Sequence, residues 1–153
     1  MEKIVFSKVK EVNGWLGNMS PFPIQFEGET WRTSEALFQA LRFENKEIRE
    51  LIRSQKSPMA AKMKSKLHKN EMIILPMSKE DCANMRFVIQ LKIKQHAEIQ
   101  RMLVNTSNKI IIENIGSRSG ERHFFWGAKW IDTQWVGNNQ LGKIWMELRA
   151  TIG

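Results

Sequence analysis

Cysteine is all but missing from this 153-residue chain, and with Cys82 alone no disulfide can form within it. No set of cysteines and histidines has the spacing of a zinc site. Both absences fit a reducing, cytoplasmic setting. The opening MEKIVFSKVK lacks the apolar core of a signal peptide, and no apolar run approaches the roughly 20 residues that span a bilayer. Long polar tracts, internal repeats and linker-like segments are missing too. Together these exclusions leave an unexported protein with no membrane partner, no metal and no repeat architecture.

What remains is enough for one domain over residues 1–153. Hydrophobic residues make up 42% of the chain, which can bury a core without staples. The net charge of +8, from 24 Lys+Arg against 16 Asp+Glu, favours contact with polyanions such as nucleic acid or phosphorylated ligands. The densest lysine cluster, Lys56 to Lys69, falls on one helical segment and reads either as a polyanion-facing surface or as an ordinary solvated face.

Local signals predict an α+β chain, mainly helical with a few short strands. Ile4 to Phe6 and Ile24 to Phe26 read as strands around a Gly/Asn/Pro-rich loop, Gly14 to Pro23. Thr33 or Ser34 caps a helix to about Phe43, a second helix covers Lys46 to Arg53, and Pro58 suits the first turn of a third. Ser78 and Asp81 imitate a capping box at the start of a long helix to about Val104. Lys109 to Glu113 reads as a strand, and Leu141 to Ala150 as an amphipathic closing helix. Before it, WGAKWIDTQWVGNNQLG (Trp126 to Gly142) reads as a loop, although it holds three of the six tryptophans.

Two helices place polar residues where geometry makes them interesting. At about 100° per residue, Lys92 projects between Val88 and Ile93, inside the apolar stripe of the long helix. Its stem either packs while the ammonium snorkels to the edge, or the lysine faces a cleft where desolvation lowers its pKa. In the helix opened by Ser34, residues Glu35, Phe38, Gln39 and Arg42 share one stripe. That stripe is a solvent-facing row with a Glu35–Arg42 ion pair, or it presents an acid whose first-turn position favours the carboxylate.

PIQFEGETWRTSEALFQALRF (Pro23 to Phe43), SPMAAKM (Ser57 to Met63), MRFVIQLKIKQHAEIQRMLVNT (Met85 to Thr106), IIIENIG (Ile110 to Gly116) and WGAKWIDTQWVGNNQLGKIWMELR (Trp126 to Arg149) occur in this order along nearly the whole chain. They resemble the successive motifs of the NADAR (YbiA-like) family. The resemblance implies a single N-glycosidase domain acting on ADP-ribose and ribosyl-phosphate compounds without a cofactor. Activities known in the family include cleaving early riboflavin-pathway intermediates and removing ADP-ribose from guanine in nucleic acid, the latter as DNA repair or as an antitoxin against toxins that include phage-defence toxins.

Carried across by motif, the resemblance makes Glu35 the catalytic carboxylate, because breaking an N-glycosidic bond builds positive charge on the sugar that a fixed anion stabilises. It sets Lys92 at the lysine of the K-F-x-Q element and Gln39 at the glutamine that orients ribose or base. Trp126, Gly127, Gly137, Asn139 and Gly142 match its terminal motif as substrate-binding positions, with Trp126 as a pocket wall, and Trp135 resembles the aromatic residue before G-x-N. Asp132 matches an acid of longer loops and stands as a third catalytic candidate; Trp130 matches no family position. Arg42 replaces the family's lysine and, always protonated, cannot form an imine with an opened ribose. His123 takes the place of a common aspartate and Ala128 follows the W-G pair. The leading expectation is an N-glycosidase on guanine-linked ADP-ribose in DNA. The alternatives are cleavage of riboflavin-pathway ribosyl phosphates, or a silent module that binds ADP-ribose or nucleic acid.

Overall fold

A computed structural model describes residues 2–152. Their contacts divide the chain into two compact units, one from Asn18 to His96 and one that joins Met1–Gly17 to Ala97–Gly153.

The Asn18–His96 unit begins with an antiparallel hairpin and is otherwise helical. Its strands β2 (Ile24–Phe26) and β3 (Glu29–Trp31) pair with Ile24 opposite Trp31. Sequence signals had no purchase on β3, a three-residue strand whose Glu-Thr-Trp offers little alternation. Helix α1 (Ser34–Ala40) is capped by the Thr33 hydroxyl, which accepts from the amide of Ala36 at 3.2 Å. It ends earlier than predicted. Helix α2 (Lys46–Arg53) is capped by Asn45, and α3 (Pro58–Leu67) by Ser57 with Pro58 in its first turn. Helix α4 (Lys79–Gln95) starts at Ser78, whose hydroxyl accepts from the Asp81 amide. The core of this unit is made by Ile24, Leu37, Phe38, Phe43, Ile52, Val88 and Ile89, all within 2% of full burial.

The predicted long helix is in fact two. His96 leaves the helix with φ −126° and ψ 101°, and its ring meets the Pro23 carbonyl at 2.6 Å. Helix α5 (Ala97–Asn105) then starts the C-terminal part of the second unit. No glycine or proline marks this break; a tertiary contact makes it.

In the second unit β1 (Lys3–Phe6) pairs in parallel with β4 (Ile110–Glu113), and α7 (Gln140–Ile152) packs against β4. Trp145 is wholly buried, donates from Nε1 to the Leu16 carbonyl at 3.0 Å, and meets Trp15 edge-on. The stretch predicted as loop carries regular structure. A short helix, α6 (Glu121–Trp126), leads into a hairpin of β5 (Lys129–Ile131) and β6 (Gln134–Val136), turning at Asp132 and Thr133. Their φ values of 48° and 66° place both turn residues in the left-handed region, as a two-residue type I′ connection requires.

The terminal glycines and Asn139 fasten this unit together. Asn139 accepts from the Glu113 amide at 3.0 Å and donates to the Ile111 carbonyl at 2.8 Å, so one side chain satisfies two groups of β4. A Cβ on Gly142 would overlap the Ile111 carbonyl oxygen and the Asn139 amide, and one on Gly137 would overlap the Gly127 carbonyl. The close approach these glycines allow is of backbone to backbone. Gly142→Ala is therefore expected to cost about 2–4 kcal/mol, through overpacking and loss of an Asn139 bond, read as a lowered denaturant midpoint. An unchanged midpoint would remove the clasp as the reason for this motif.

Candidate active site

The sequence puts Glu35, Gln39 and Arg42 on one helical stripe, and folding buries it. Glu35 is 8%, Gln39 5% and Arg42 6% exposed, so the solvent-facing row is excluded. The expected Glu35–Arg42 pair is replaced by a relay. Gln39 donates from Nε2 to Glu35 Oε2 at 2.6 Å and accepts at Oε1 from Arg42 at 3.1 Å. Arg42 turns its Nε and remaining terminal nitrogen onto the two oxygens of Asp81, at 2.9 and 2.8 Å. That fork-on-fork geometry fixes the guanidinium plane.

Direction runs along this chain. Because Arg42 has only donors, Gln39 must face it with its oxygen, which aims the Gln39 amide nitrogen at Glu35. Glu35 is thereby held as the acceptor at the end of a polarised series. Asp81, fully buried, also accepts from the Met77 amide at 2.9 Å. Its carboxylate thus serves Arg42 and the loop before α4 rather than closing a capping box. Sequence reasoning missed Asp81 as a site residue; the signal was Arg42 itself, a cation on a stripe that needed a buried partner. Beside Asp81, the Cys82 thiol is pushed up by burial and by the Asp81 charge, which disfavours the reactive thiolate.

The loop after Gly17 joins α1 to α4. Asn18 accepts from the Glu35 amide at 3.1 Å and from the Ser34 hydroxyl, and its own amide points at the Met85 sulfur. Two residues on, Ser20 accepts from Lys92 Nζ at 2.9 Å. Lys92 is 0% exposed, with its ammonium 5.2 Å from the centre of the Phe22 ring. Snorkelling is excluded. Burial pulls its pKa down to about 7, so at neutral pH the amine and the ammonium are both populated. The sequence revealed that Lys92 falls in the stripe, but Ser20 and Phe22, its neighbours from 72 and 70 residues away, lay in a stretch legible only as loop.

The remaining expected site residues fall in the other unit. Trp126, 9% exposed at the end of α6, packs edge-on against Phe125. His123 lies on α6, half-buried, with Arg122 3.4 Å from its Nε2. Gly127, Gly137, Asn139 and Gly142 form the clasp described above. Asp132 is exposed at the hairpin tip, with the dihedral of a turn residue. Among the described residues no group of three or more His, Cys, Asp or Glu side chains could hold a metal ion.

Residues 5–153 match the family model of the NADAR domain. The chain belongs to the NADAR family. It is 36% identical to N-glycosidase YbiA of Escherichia coli strain K12, over 97% of this chain and 88% of that one. The N-glycosidase YbiA of Shigella boydii serotype 4 is 32% identical over the same shares, and N-glycosidase Npun_R5314 of Nostoc punctiforme 28% identical over 97% and 92%. The NMR structure of E. coli YbiA superimposes with a TM-score of 0.81 at 30% identity, covering 99% of this chain and 84% of that one. The mainly helical fold with a few short strands is therefore the YbiA fold, and the family match spans both compact units.

Proposed function

We propose that this protein removes ADP-ribose from guanine in DNA by hydrolysing the bond between base and ribose, and so reverses a toxin's modification. At the coarser level, the chain is a hydrolase of N-glycosidic bonds, as a NADAR member similar over nearly its whole length to named N-glycosidases. The observation that supports the chemistry is the relay that holds Glu35 as an acceptor, in the same unit as a buried lysine poised near neutrality. A net charge of +8 favours a nucleic-acid substrate over a free metabolite, and the reading takes the enzyme to be cytoplasmic. Among the described residues no helix is long and apolar enough to cross a membrane.

In this reading water attacks the ribose C1 while the C1–N bond breaks and its electron pair leaves with guanine. Positive charge grows on C1 and the ring oxygen, where the Glu35 carboxylate stabilises it and takes the proton that water gives up. The departing base nitrogen needs a proton, which the Lys92 ammonium supplies. In the covalent variant the neutral Lys92 amine, in place of water, attacks C1 as the C1–N bond breaks and its electron pair leaves with guanine; the ring C1–O bond then opens to give the imine, which water hydrolyses, whereas Arg42 is committed to both oxygens of Asp81.

The test incubates the protein with guanine-ADP-ribosylated DNA and, separately, with riboflavin-pathway ribosyl phosphates, and follows release of base or ADP-ribose. Release from the DNA adduct is expected. Cleavage of the ribosyl phosphates alone would move the protein to the metabolite reading, and retention of labelled DNA without cleavage of either would leave a binding module. Borohydride added during turnover traps an adduct if Lys92 forms an imine.

A further inference from the structure

The β5–β6 hairpin has more apolar surface in water than its fold requires. Trp130 and Trp135 stand opposite each other across the ribbon, ring centres 5.5 Å apart and planes at 70°. Alternation puts this pair on one face and Lys129, Ile131, Gln134 and Val136 on the other. Trp130 is 54%, Val136 38% and Ile131 37% exposed. Both faces of the ribbon are therefore partly bare, and among the described residues no third strand joins it.

A two-stranded ribbon alone is marginal in water, and this one is pinned at its root. The Asn138 amide donates to the Phe124 carbonyl at 2.7 Å and the Asn139 amide to the Gly127 carbonyl at 3.1 Å, while Lys129 lies over the Phe124 ring at 5.6 Å. The root is ordered and the aromatic end is uncovered. Along the chain on either side of it, cations outnumber acids. From residue 114 to residue 143 there are four Lys or Arg, at Arg118, Arg122, Lys129 and Lys143, against two acids, Glu121 and Asp132. Arg118, Arg122 and Lys143 are exposed.

We propose that this hairpin binds single-stranded nucleic acid, with the exposed Trp130 indole stacking on an unpaired base and the surrounding cations tracking the phosphates. A held aromatic face amid positive charge suits that ligand, because every base has a π-face and a strand brings a phosphate with each one. A paired duplex presents no free base face to it. This rests on the reading of a nucleic-acid substrate and narrows it to a single strand.

The test uses unmodified oligothymidylate, which carries neither guanine nor ADP-ribose, so its outcome is independent of whether the protein cleaves the adduct. Tryptophan emission is expected to be quenched on titration. Trp130→Leu, which keeps apolar bulk and removes the ring, weakens binding about tenfold, whereas Trp130→Phe, which keeps a ring, weakens it less than about threefold. The dependence of affinity on salt stays that of the wild type, because the phosphate contacts remain. Wild-type affinity in Trp130→Leu, or equal losses in the two variants, overturns the proposal. So does a wild-type protein that ignores the oligonucleotide and instead self-associates in a way Trp130→Leu abolishes.

Discussion

Glu35→Gln loses turnover on the cleaved substrate by about 10²–10⁴-fold, the range expected for removing a positioned general base, while the fold and substrate retention survive. The relay explains why binding and chemistry separate. Gln39 presents its amide nitrogen to position 35 because Arg42 occupies its oxygen, so a glutamine there can still accept that bond through its carbonyl. The backbone amide of residue 35 keeps its bond to the Asn18 carbonyl. What vanishes is the negative charge, and with it the stabilisation of a cationic sugar and a place for the proton from water. The measurement is single-turnover cleavage beside equilibrium retention of labelled substrate. Turnover within a few-fold of the wild type would take Glu35 out of the reaction. Equal loss of retention and cleavage would make it a binding group.

Local signals were enough wherever a residue carries its own structural instruction. Helix α2 covers Lys46–Arg53 and Pro58 opens α3 at the predicted places, and the 100° step alone put Lys92 into the buried stripe. The misses have a common physical cause: distant partners. A helical wheel cannot tell a solvated row from a buried relay, and Asp81, which decides between them, lies 39 residues beyond Arg42. The break at His96 depends on the Pro23 carbonyl, 73 residues earlier in the chain. The hairpin in the tryptophan-rich stretch escaped notice because its strands have three residues each and its turn is Asp-Thr, without the glycine that usually announces a type I′ connection. The terminal motif was readable as a pattern, but that Gly142 and Asn139 also clasp β4 became visible only with the β4 backbone set against them.

Lys92→Met is expected to abolish turnover and, unusually for a buried substitution, to raise stability at neutral and mildly acidic pH. Lys92 has no exposed surface, and burial lowers its pKa from 10.5 to about 7. Between those two values the unfolded chain binds the proton that the folded chain releases, so this group makes stability rise with pH across the window. Below about pH 7 both states hold the proton, and the fold carries the whole cost of a buried ammonium, at most about 5 kcal/mol. Methionine matches the unbranched stem and carries no charge; against that gain stand the lost bond to Ser20, worth about 1 kcal/mol, and the lost contact of the ammonium with the Phe22 ring. The net expectation is about 2–4 kcal/mol of stabilisation at pH 6, shrinking towards pH 10 as the wild-type lysine loses its proton in both states. Urea midpoints of the two proteins at pH 6, 7, 8 and 9 supply the comparison. A variant less stable than the wild type at pH 6, or a gap that does not narrow with rising pH, would mean that Lys92 is held charged by its surroundings. In the proposed reaction a lysine that weakens the fold at the working pH has a use that offsets this cost: its proton is the one that would meet the base as it leaves.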